Sequence, residues 1–310
     1  MSDLIIIGVD HGYAAMKTAH FSFPTGLVEY EHEPYTQKDV LEYDGKHYVV
    51  GSARQPLQRD KTRTEDYYLL TLAAIAKELD YRGMERTAEV LLAAGLPLTS
   101  FGRDKKKFRD YLLRDGKPVY FRYEGRDYTV RLTDVMLFPQ GYAAVLTQTE
   151  LLDEPSVIVA DIGGWTVDMT CQNKYVSPAI TCRSLELGMI RCLDEISEKA
   201  RQMFGVSMTD VQIESILRGG AVSVDDRIRA VIHTQAGQYV QDLLSAIMES
   251  GLDVRAMPAI FLGGGAALLK RHASALEGPC RPLILDDVCL NAKGYERLVE
   301  RMTESAAHEQ

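Results

Sequence analysis

The stretch Val157-Ile158-Val159-Ala160-Asp161-Ile162-Gly163-Gly164-Trp165-Thr166-Val167-Asp168-Met169-Thr170 decides the fold. Its apolar opening has the composition of a strand buried on both faces. The Asp-Ile-Gly-Gly segment is a turn signal, and residues 165–170 are expected to return as a strand beside the first. The same pattern stands near the start of the chain: the run Leu4-Ile5-Ile6-Ile7-Gly8-Val9, the turn Asp10-His11-Gly12-Tyr13, and a returning strand expected over 14–23. Apolar strand, aspartate, glycine turn and returning strand thus occur once in each half. Such a repeat predicts a duplicated fold, each copy offering a carboxylate at the end of a strand, with its site between the halves.

The segments around these hairpins alternate between strand and helix patterns. Strands are predicted at Lys46–Gly51, Val90–Pro97, Val119–Tyr123, Tyr128–Leu132 onward to Phe138, Ala259–Leu262 and Leu283–Leu285. Apolar residues at helical spacing predict helices over 65–79, 101–113, 189–204, 209–217, 228–249, 266–276 and 290–301, with a frayed tail from Thr303. Asp153-Glu154-Pro155 is a plausible boundary between the halves. The expected organisation is a first domain over 1–152 and a second over 153–289. The first would carry 24–80 as a smaller insertion and take back the terminal helix 290–302. The second would carry a helical subdomain over 190–255.

A triphosphate needs backbone N–H groups that it can approach closely, and a Cβ obstructs that approach. Gly12, the pair Gly163 and Gly164, and the run Gly263-Gly264-Gly265 before a helix all suit the requirement, and the last also offers a helix N-terminus to negative charge. No G-x-x-x-x-G-K-[ST] occurs, so the chain is not a P-loop protein. Mg²⁺ takes octahedral oxygen ligands, often one or two carboxylates with phosphates and water. Asp10 and Asp161 fit that need if their hairpins face each other.

At 310 residues the chain is long enough for two domains of roughly 150 residues. Apolar residues at 46% and charged residues at 25% give the balance of a globular protein in water. The net charge of −9 repels DNA phosphates and anionic lipid headgroups, which disfavours direct binding of nucleic acid or membrane. The five cysteines form no C-x-x-C pair, so neither zinc nor a disulfide framework is expected; they suit small buried side chains in a reducing compartment. The N-terminal apolar run is short and lacks a basic leader, and no stretch approaches about 18 apolar residues. A cytoplasmic protein is expected.

Five motifs in order resemble the superfamily of actin, heat-shock chaperones and sugar kinases. Asp10-His11-Gly12-Tyr13-Ala14-Ala15-Met16-Lys17 resembles the first phosphate motif, and Asp161 to Asp168 the second. Leu262-Gly263-Gly264-Gly265-Ala266 resembles the adenosine motif. Phe138-Pro139-Gln140-Gly141-Tyr142-Ala143-Ala144 and Asn291-Ala292-Lys293-Gly294-Tyr295 resemble the two connecting helices. The short length and the Asn-Ala-Lys-Gly-Tyr ending are most similar to the ParM group of plasmid-segregating bacterial actins.

The resemblance implies an α/β fold of duplicated actin-like (ribonuclease H-like) domains with an interdomain nucleotide cleft. It implies an ATPase, using ATP or GTP with Mg²⁺ ordered through water by Asp10 and Asp161. Asp10, Gln140 and Asp161 would be catalytic, Gln140 by orienting the attacking water. Nucleotide contacts would come from Gly12, Tyr13, Lys17, Gly163, Gly164, Trp165, Thr166, Gly188, Gly263, Gly264 and Gly265. It further implies a homopolymeric filament that segregates plasmid DNA through a DNA-binding adaptor, its contacts drawn from segments such as 55–68 and 208–226. The alternatives are a non-polymerising ATPase that chaperones or reactivates a partner, and a small-molecule kinase. His11 departs from the pattern and is expected to be a half-exposed turn residue or a phosphate contact. Trp165 has two readings, hairpin packing or contact with the phosphate loop. Asp168 either supports the second loop or faces solvent. Neither adenine nor guanine is declared by the residues around Glu186-Leu187-Gly188.

Overall fold

The computed structural model describes residues 4–52, 58, 60–145, 154–173, 181–272 and 282–308. The chain divides into two compact units, Met1–Thr147 with Val288–Gln310, and Gln148–Asp287.

The first unit is built on strands β1 (Ile5–His11), β2 (Ala15–Lys17), β3 (Ser22–Pro24), β4 (Leu27–Tyr30), β5 (Val40–Tyr43), β6 (Lys46–Val50), β7 (Thr87–Leu96), β8 (Val119–Tyr123) and β9 (Arg126–Pro139). Among the described residues they form one sheet in the order β3-β2-β1-β7-β9-β8-β5-β6-β4. Helices α1 (Asp66–Tyr81), α2 (Leu98–Leu113) and α3 (Tyr142–Val145) belong to this unit, as does the C-terminal helix α8 (Leu290–His308). β1 and β7 are parallel and central, and their β-branched and alanine-rich runs are buried on both faces. One face is covered by α1, whose Leu69, Leu70, Leu72, Ala73, Ile75, Ala76 and Leu79 are all buried. α8 packs on β1 and β7 and against α3, where the Asn291 side chain accepts a hydrogen bond from the Gly141 N–H at 2.9 Å.

The second unit contains β10 (Ser156–Ile162), β11 (Val167–Asn173), β12 (Arg183–Leu185), β13 (Ala259–Leu262) and β14 (Leu283–Ile284), in the order β12-β11-β10-β13-β14. Its helices are α4 (Met189–Phe204), α5 (Asp210–Leu217), α6 (Asp226–Glu249) and α7 (Ala266–Arg271). A capping box between Thr209 and Gln212 starts α5, and the Asp225 side chain caps α6. The left-handed Gly205 closes α4. Ile196, Ile213, Ile216, Ile232, Val240, Leu243 and Ile247 from these helices pack with the sheet into one core.

The duplication is visible in the pairing. β1 has an antiparallel partner, β2, on one side and a parallel one, β7, on the other; β10 has antiparallel β11 and parallel β13. Each hairpin strand passes to a further antiparallel strand, β3 or β12, and each parallel neighbour to a further parallel strand, β9 or β14. The order β3-β2-β1-β7-β9 therefore repeats as β12-β11-β10-β13-β14.

Several boundaries differ from expectation. The single strand expected over 14–23 is broken between β2 and β3 by a turn closed from the Thr18 N–H to the Phe21 carbonyl, 2.8 Å. The turn lets the His20 N–H and Nδ1 reach the buried Glu78 carboxylate at 3.1 and 2.9 Å. The tail expected to fray from Thr303 continues as helix to His308; no glycine or proline interrupts it, and Thr303 and Ser305 bond back to the Val299 and Arg301 carbonyls. α2 begins at Leu98, directly after Pro97, and not at Phe101. The expected helix over 266–276 is described to Arg271, and its continuation lies outside the described residues, as does Cys280, one of the five cysteines. Cys171, Cys192 and Cys289 are buried and in no disulfide, and Cys182 is half-buried. No described helix is long and apolar enough to cross a membrane.

Candidate functional site

Asp10 lies in the last turn-ward residues of β1, directly across from Lys17 on β2. Residues opposite each other in an antiparallel pair project from the same face, and here they join: Lys17 Nζ lies 3.0 Å from Asp10 Oδ2. The other carboxylate oxygen accepts from Gln140 Nε2 at 2.7 Å. Gln140 follows β9 and is held by its own N–H on the Leu96 carbonyl, 2.9 Å. Asp10 is 2% exposed. Burial by itself pushes its carboxyl pKa up, but Lys17, Lys61 and the Gln140 amide together outweigh burial and hold it below the ordinary carboxylate range. Asp10 is thus a permanent anion and a poor base at neutral pH.

His11 is not the half-exposed turn residue expected. It belongs to β1 and is 0% exposed. Its Nε2 lies 2.8 Å from Thr71 Oγ1, and the Thr71 hydroxyl donates its one proton to the Tyr67 carbonyl, so the imidazole donates from Nε2. Its ring meets the edge of Phe108 at 5.1 Å. Burial first, and then the Lys61 ammonium, push the imidazole pKa down to about 3, so the ring is neutral. An uncharged ring enclosed by Phe108, Tyr67 and Thr71 is part of the core and not a phosphate contact. Gly12 and Tyr13 form the turn beyond it; the Gly12 carbonyl accepts from Thr25 Oγ1 at 2.8 Å, and the Tyr13 ring lies over Lys61.

The second hairpin is built differently. Asp161 pairs across β11 with Asp168, and along β13 with Leu262. The carboxylate lies against Gly263, which has φ +88°; a Cβ there would overlap Asp161 Oδ1, so glycine is required both by conformation and by contact. The turn Gly163–Thr166 closes through the Gly163 N–H on the Thr166 carbonyl at 2.9 Å. It then docks on the start of α4: the Gly188, Met189 and Ile190 N–H groups donate to the Trp165, Gly163 and Gly164 carbonyls at 2.9, 3.0 and 2.8 Å. These are the donors that a helix N-terminus leaves unsatisfied. Gly188 therefore seats the loop from behind, and a Cβ on it would overlap the Gly164 carbonyl and the Trp165 backbone. Thr166 Oγ1 donates to Asp168 Oδ2 at 2.9 Å, which makes Asp168 a support of the loop. Trp165 is half-buried. Of the adenosine-motif glycines, Gly265 turns its N–H inward to the Ile162 carbonyl at 3.0 Å, whereas Gly264 borders open space.

The fold has counterparts in known proteins. Residues 8–142 match the family model for the N-terminal domain of actin-like proteins. The archaeal actin homolog Ta0583 aligns with a TM-score of 0.78 at 21% identity, covering 96% of this chain and 100% of that one. This chain has the actin-like fold. Ta0583 has also been solved in complex with ADP. ParM of Bacillus thuringiensis, solved with ATP, aligns at TM-score 0.69 and 16% identity, covering 97% of this chain and 100% of that one. The Alp12 filament structure aligns at 0.66 and 17%, covering 97% and 100%. No curated protein matches the sequence. The resemblance to actin-like proteins, ParM among them, therefore holds at the level of fold.

Within the actin-like first unit, three residues that the sequence did not single out complete the Asp10 hairpin. Lys61 is 6% exposed, donates to the His11 carbonyl and faces the Tyr13 ring at 4.7 Å. Thr25 is 1% exposed and holds the Gly12 carbonyl, and Thr71 holds His11. Lys61 stands in Asp60-Lys61-Thr62-Arg63-Thr64-Glu65, a polar run with the composition of a solvated loop, which carries no local sign of burial. Within the segment 55–68, Lys61, Tyr67 and Tyr68 are buried while Asp60, Arg63, Thr64 and Glu65 are exposed, and residues 55–57 and 59 lie outside the described residues.

Proposed function

We propose that this actin-like chain binds ATP, with GTP as the alternative, together with Mg²⁺ and hydrolyses it. The observation that carries the reading is the Asp10 cluster, in which one buried carboxylate is gripped by Lys17 at 3.0 Å and by Gln140 at 2.7 Å. Both carboxylate oxygens are engaged by protein donors. That arrangement suits a carboxylate that orders the water shell of Mg²⁺ better than one that ligates the ion directly, and Mg²⁺ characteristically keeps several waters. Asp161, half-exposed in the other unit, is the second carboxylate proposed for this task. When bound, Mg²⁺ supplies charge neutralisation on the phosphates.

Gln140 donates to Asp10 through its nitrogen, which leaves its carbonyl oxygen to accept from a water and set its direction of attack. Lys17, held at the turn by Asp10, is placed for a phosphate oxygen. Gly163, Gly164 and Gly264 offer approachable backbone. An amide cannot take a proton, and Asp10 is held as a weak base. The chain is therefore poorly equipped to deprotonate an acceptor hydroxyl, which favours water as nucleophile over a sugar or other small alcohol.

The filament is the second part of the proposal. Alp12 has been solved as a filament and ParM with ATP. By likeness of fold, copies of this chain join head to tail, a heterologous contact that grows without closing. Nucleotide favours the joined state and hydrolysis weakens it. The cargo is plasmid DNA in the cytoplasm, held by a DNA-binding adaptor, because the net charge of −9 opposes a direct grip on DNA. The test is phosphate release together with pelleting, with ATP or GTP and Mg²⁺, over a range of protein concentrations. Hydrolysis and assembly above a critical concentration are expected. Hydrolysis without assembly at any concentration would leave a non-polymerising ATPase, and neither would overturn the reading.

A further inference from the structure

Among the described residues no helix N-terminus donates to the turn after Asp10, yet three of its carbonyls are tied down. Lys61 Nζ donates to the His11 carbonyl, Thr25 Oγ1 to the Gly12 carbonyl at 2.8 Å, and the Thr25 N–H to the Ala14 carbonyl at 2.9 Å. A trans peptide carries its C=O and the following N–H in one plane, pointing in opposite directions across the C–N bond. Drawing the His11 and Gly12 carbonyls toward Lys61 and Thr25 therefore turns the Gly12 and Tyr13 N–H groups the other way. The first closes onto the Asp10 carbonyl at 3.1 Å, which tightens the turn. The second is directed away from Thr25.

Lys61 adds a charge to this geometry. Its ammonium lies 4.7 Å from the Tyr13 ring centroid and 5.6 Å from that of Tyr67, with rings and backbone in place of bulk water. A cation there is screened far less than one on the surface. The loop that carries it is itself anchored: Asp60 pairs with Lys107 at 2.6 Å, and Tyr111 OH donates to the Thr64 carbonyl at 2.8 Å, both partners lying on α2.

We propose that Lys61 and Thr25 are positioning residues of the phosphate turn. Together they fix the peptide planes of His11–Tyr13 before a ligand arrives, and Lys61 sets a buried positive potential behind them that selects an anionic phosphate. This rests on the nucleotide reading above. Preorganisation of this kind acts on affinity by removing the ordering cost at binding, and it acts only on the part of the ligand that meets the turn.

The experiment is calorimetric titration of the full chain with Mg-ATP and, separately, with adenosine, which has the base and ribose but no phosphate. For Lys61→Met the Mg-ATP Kd is expected to rise tenfold or more while the adenosine Kd stays within twofold, and Lys61→Arg is expected to recover at least half of the loss on a logarithmic scale. Thr25→Val, nearly the same shape, is expected to lose about threefold on Mg-ATP alone. In steady state the Lys61→Met defect falls on KM, with kcat within twofold. Equal weakening of ATP and adenosine would mean that Lys61 only packs its loop, and an Mg-ATP Kd within twofold of the parent would also overturn the proposal. If Lys61→Met does not fold, Thr25→Val decides: without a phosphate-selective loss the proposal falls. A parent chain that binds neither Mg-ATP nor Mg-GTP would remove the nucleotide reading itself, and this inference with it.

Discussion

The two hairpins begin from one sequence pattern and end as different chemistry. At the position across from the aspartate, the first has Lys17 and the second has Asp168. One substitution at one register position turns an internally neutralised pair into two acids side by side. The supports differ as well. In the first hairpin the turn is held by side chains from elsewhere in the unit, Thr25, Lys61 and Gln140. In the second it is held by backbone, three N–H groups at the start of α4. A duplicated scaffold thus fixes where a carboxylate stands and leaves its electrostatics free to diverge. The first hairpin sets a lysine against a buried aspartate, and the second sets an acid against a half-exposed one.

The sharpest way to break that contrast is to remove each aspartate in turn. Asp161→Ala is expected to lower kcat by about a thousandfold, roughly 4 kcal/mol, and to change nucleotide affinity much less, because the glycine turns remain. Its melting temperature should stay near the parent's. Asp10→Ala is also expected to lose hydrolysis, but it takes from the largely buried Lys17 the carboxylate that pairs with it. Orphaning a buried charge costs about 3–5 kcal/mol, so this variant should melt well below Asp161→Ala. Phosphate release and thermal melting on the two variants check the pair of outcomes, and equal melting temperatures would dissolve the contrast.

The next effect is on stability alone and concerns how the turns are held. Gly188→Val puts a side chain where the Gly164 carbonyl and the Trp165 backbone stand. The loop must lift off α4 and lose three N–H bonds worth about 1 kcal/mol each. A loss of about 3 kcal/mol is expected in the second unit. Trp165 is the chain's one tryptophan and sits in that loop, so its fluorescence reports the change directly. An unshifted emission and an unchanged denaturation midpoint would show that the loop does not depend on α4.

What the sequence made legible follows the same division. The second hairpin, α4 and β13 were predictable because each is a local pattern: an apolar run, a glycine turn, helical spacing from Met189 to Phe204. Backbone supports lie close to what they support, and glycine marks them. The supports of the first hairpin were not predictable, because a lysine among Asp60, Thr62, Arg63 and Glu65 looks solvated until the fold brings it under Tyr13. His11 is similar: its burial follows from Phe108 and Thr71, both far along the chain. The break between β2 and β3 likewise depends on Glu78 reaching His20. Motifs written in glycine and aspartate can be seen in one dimension, while a single polar side chain recruited from a distance cannot.

A smaller effect separates positioning from charge. Gln140→Ala is expected to slow turnover roughly tenfold, about 1.4 kcal/mol, with nucleotide affinity near the parent's. Gln140 touches Asp10 but carries no charge, so its loss leaves the Lys17 pair intact. The check is a kcat and KM pair from steady-state phosphate release, and parental kcat in this variant would remove Gln140 from the proposed water-orienting role.

The finest test uses the residue after each aspartate, His11 in the first hairpin and Ile162 in the second. Burial and Lys61 hold the His11 imidazole down to about 3, against an ordinary value of 6.5. The sign follows from proton counts. Between those values the unfolded chain carries a proton on His11 that the folded chain lacks, so stability rises with pH and is lost as pH falls below about 6.5. Above that pH neither state holds the proton and the contribution is flat. From pH 7.5 to 5.5 one such group costs about 1.4 kcal/mol over the two units, since the full slope of about 1.4 kcal/mol per unit applies only well below 6.5. His11→Ile gives the first hairpin the residue of the second. Whatever it does to stability at pH 7.5 by losing the Thr71 bond, it should lose about 1.4 kcal/mol less than the parent on acidification to 5.5. The other histidines and the carboxylates titrate in both proteins and cancel in the difference. Urea unfolding followed by circular dichroism at the two pH values measures it. Parallel pH dependence in parent and variant would mean that His11 takes up its proton in the folded protein, and that the first hairpin is open to water after all.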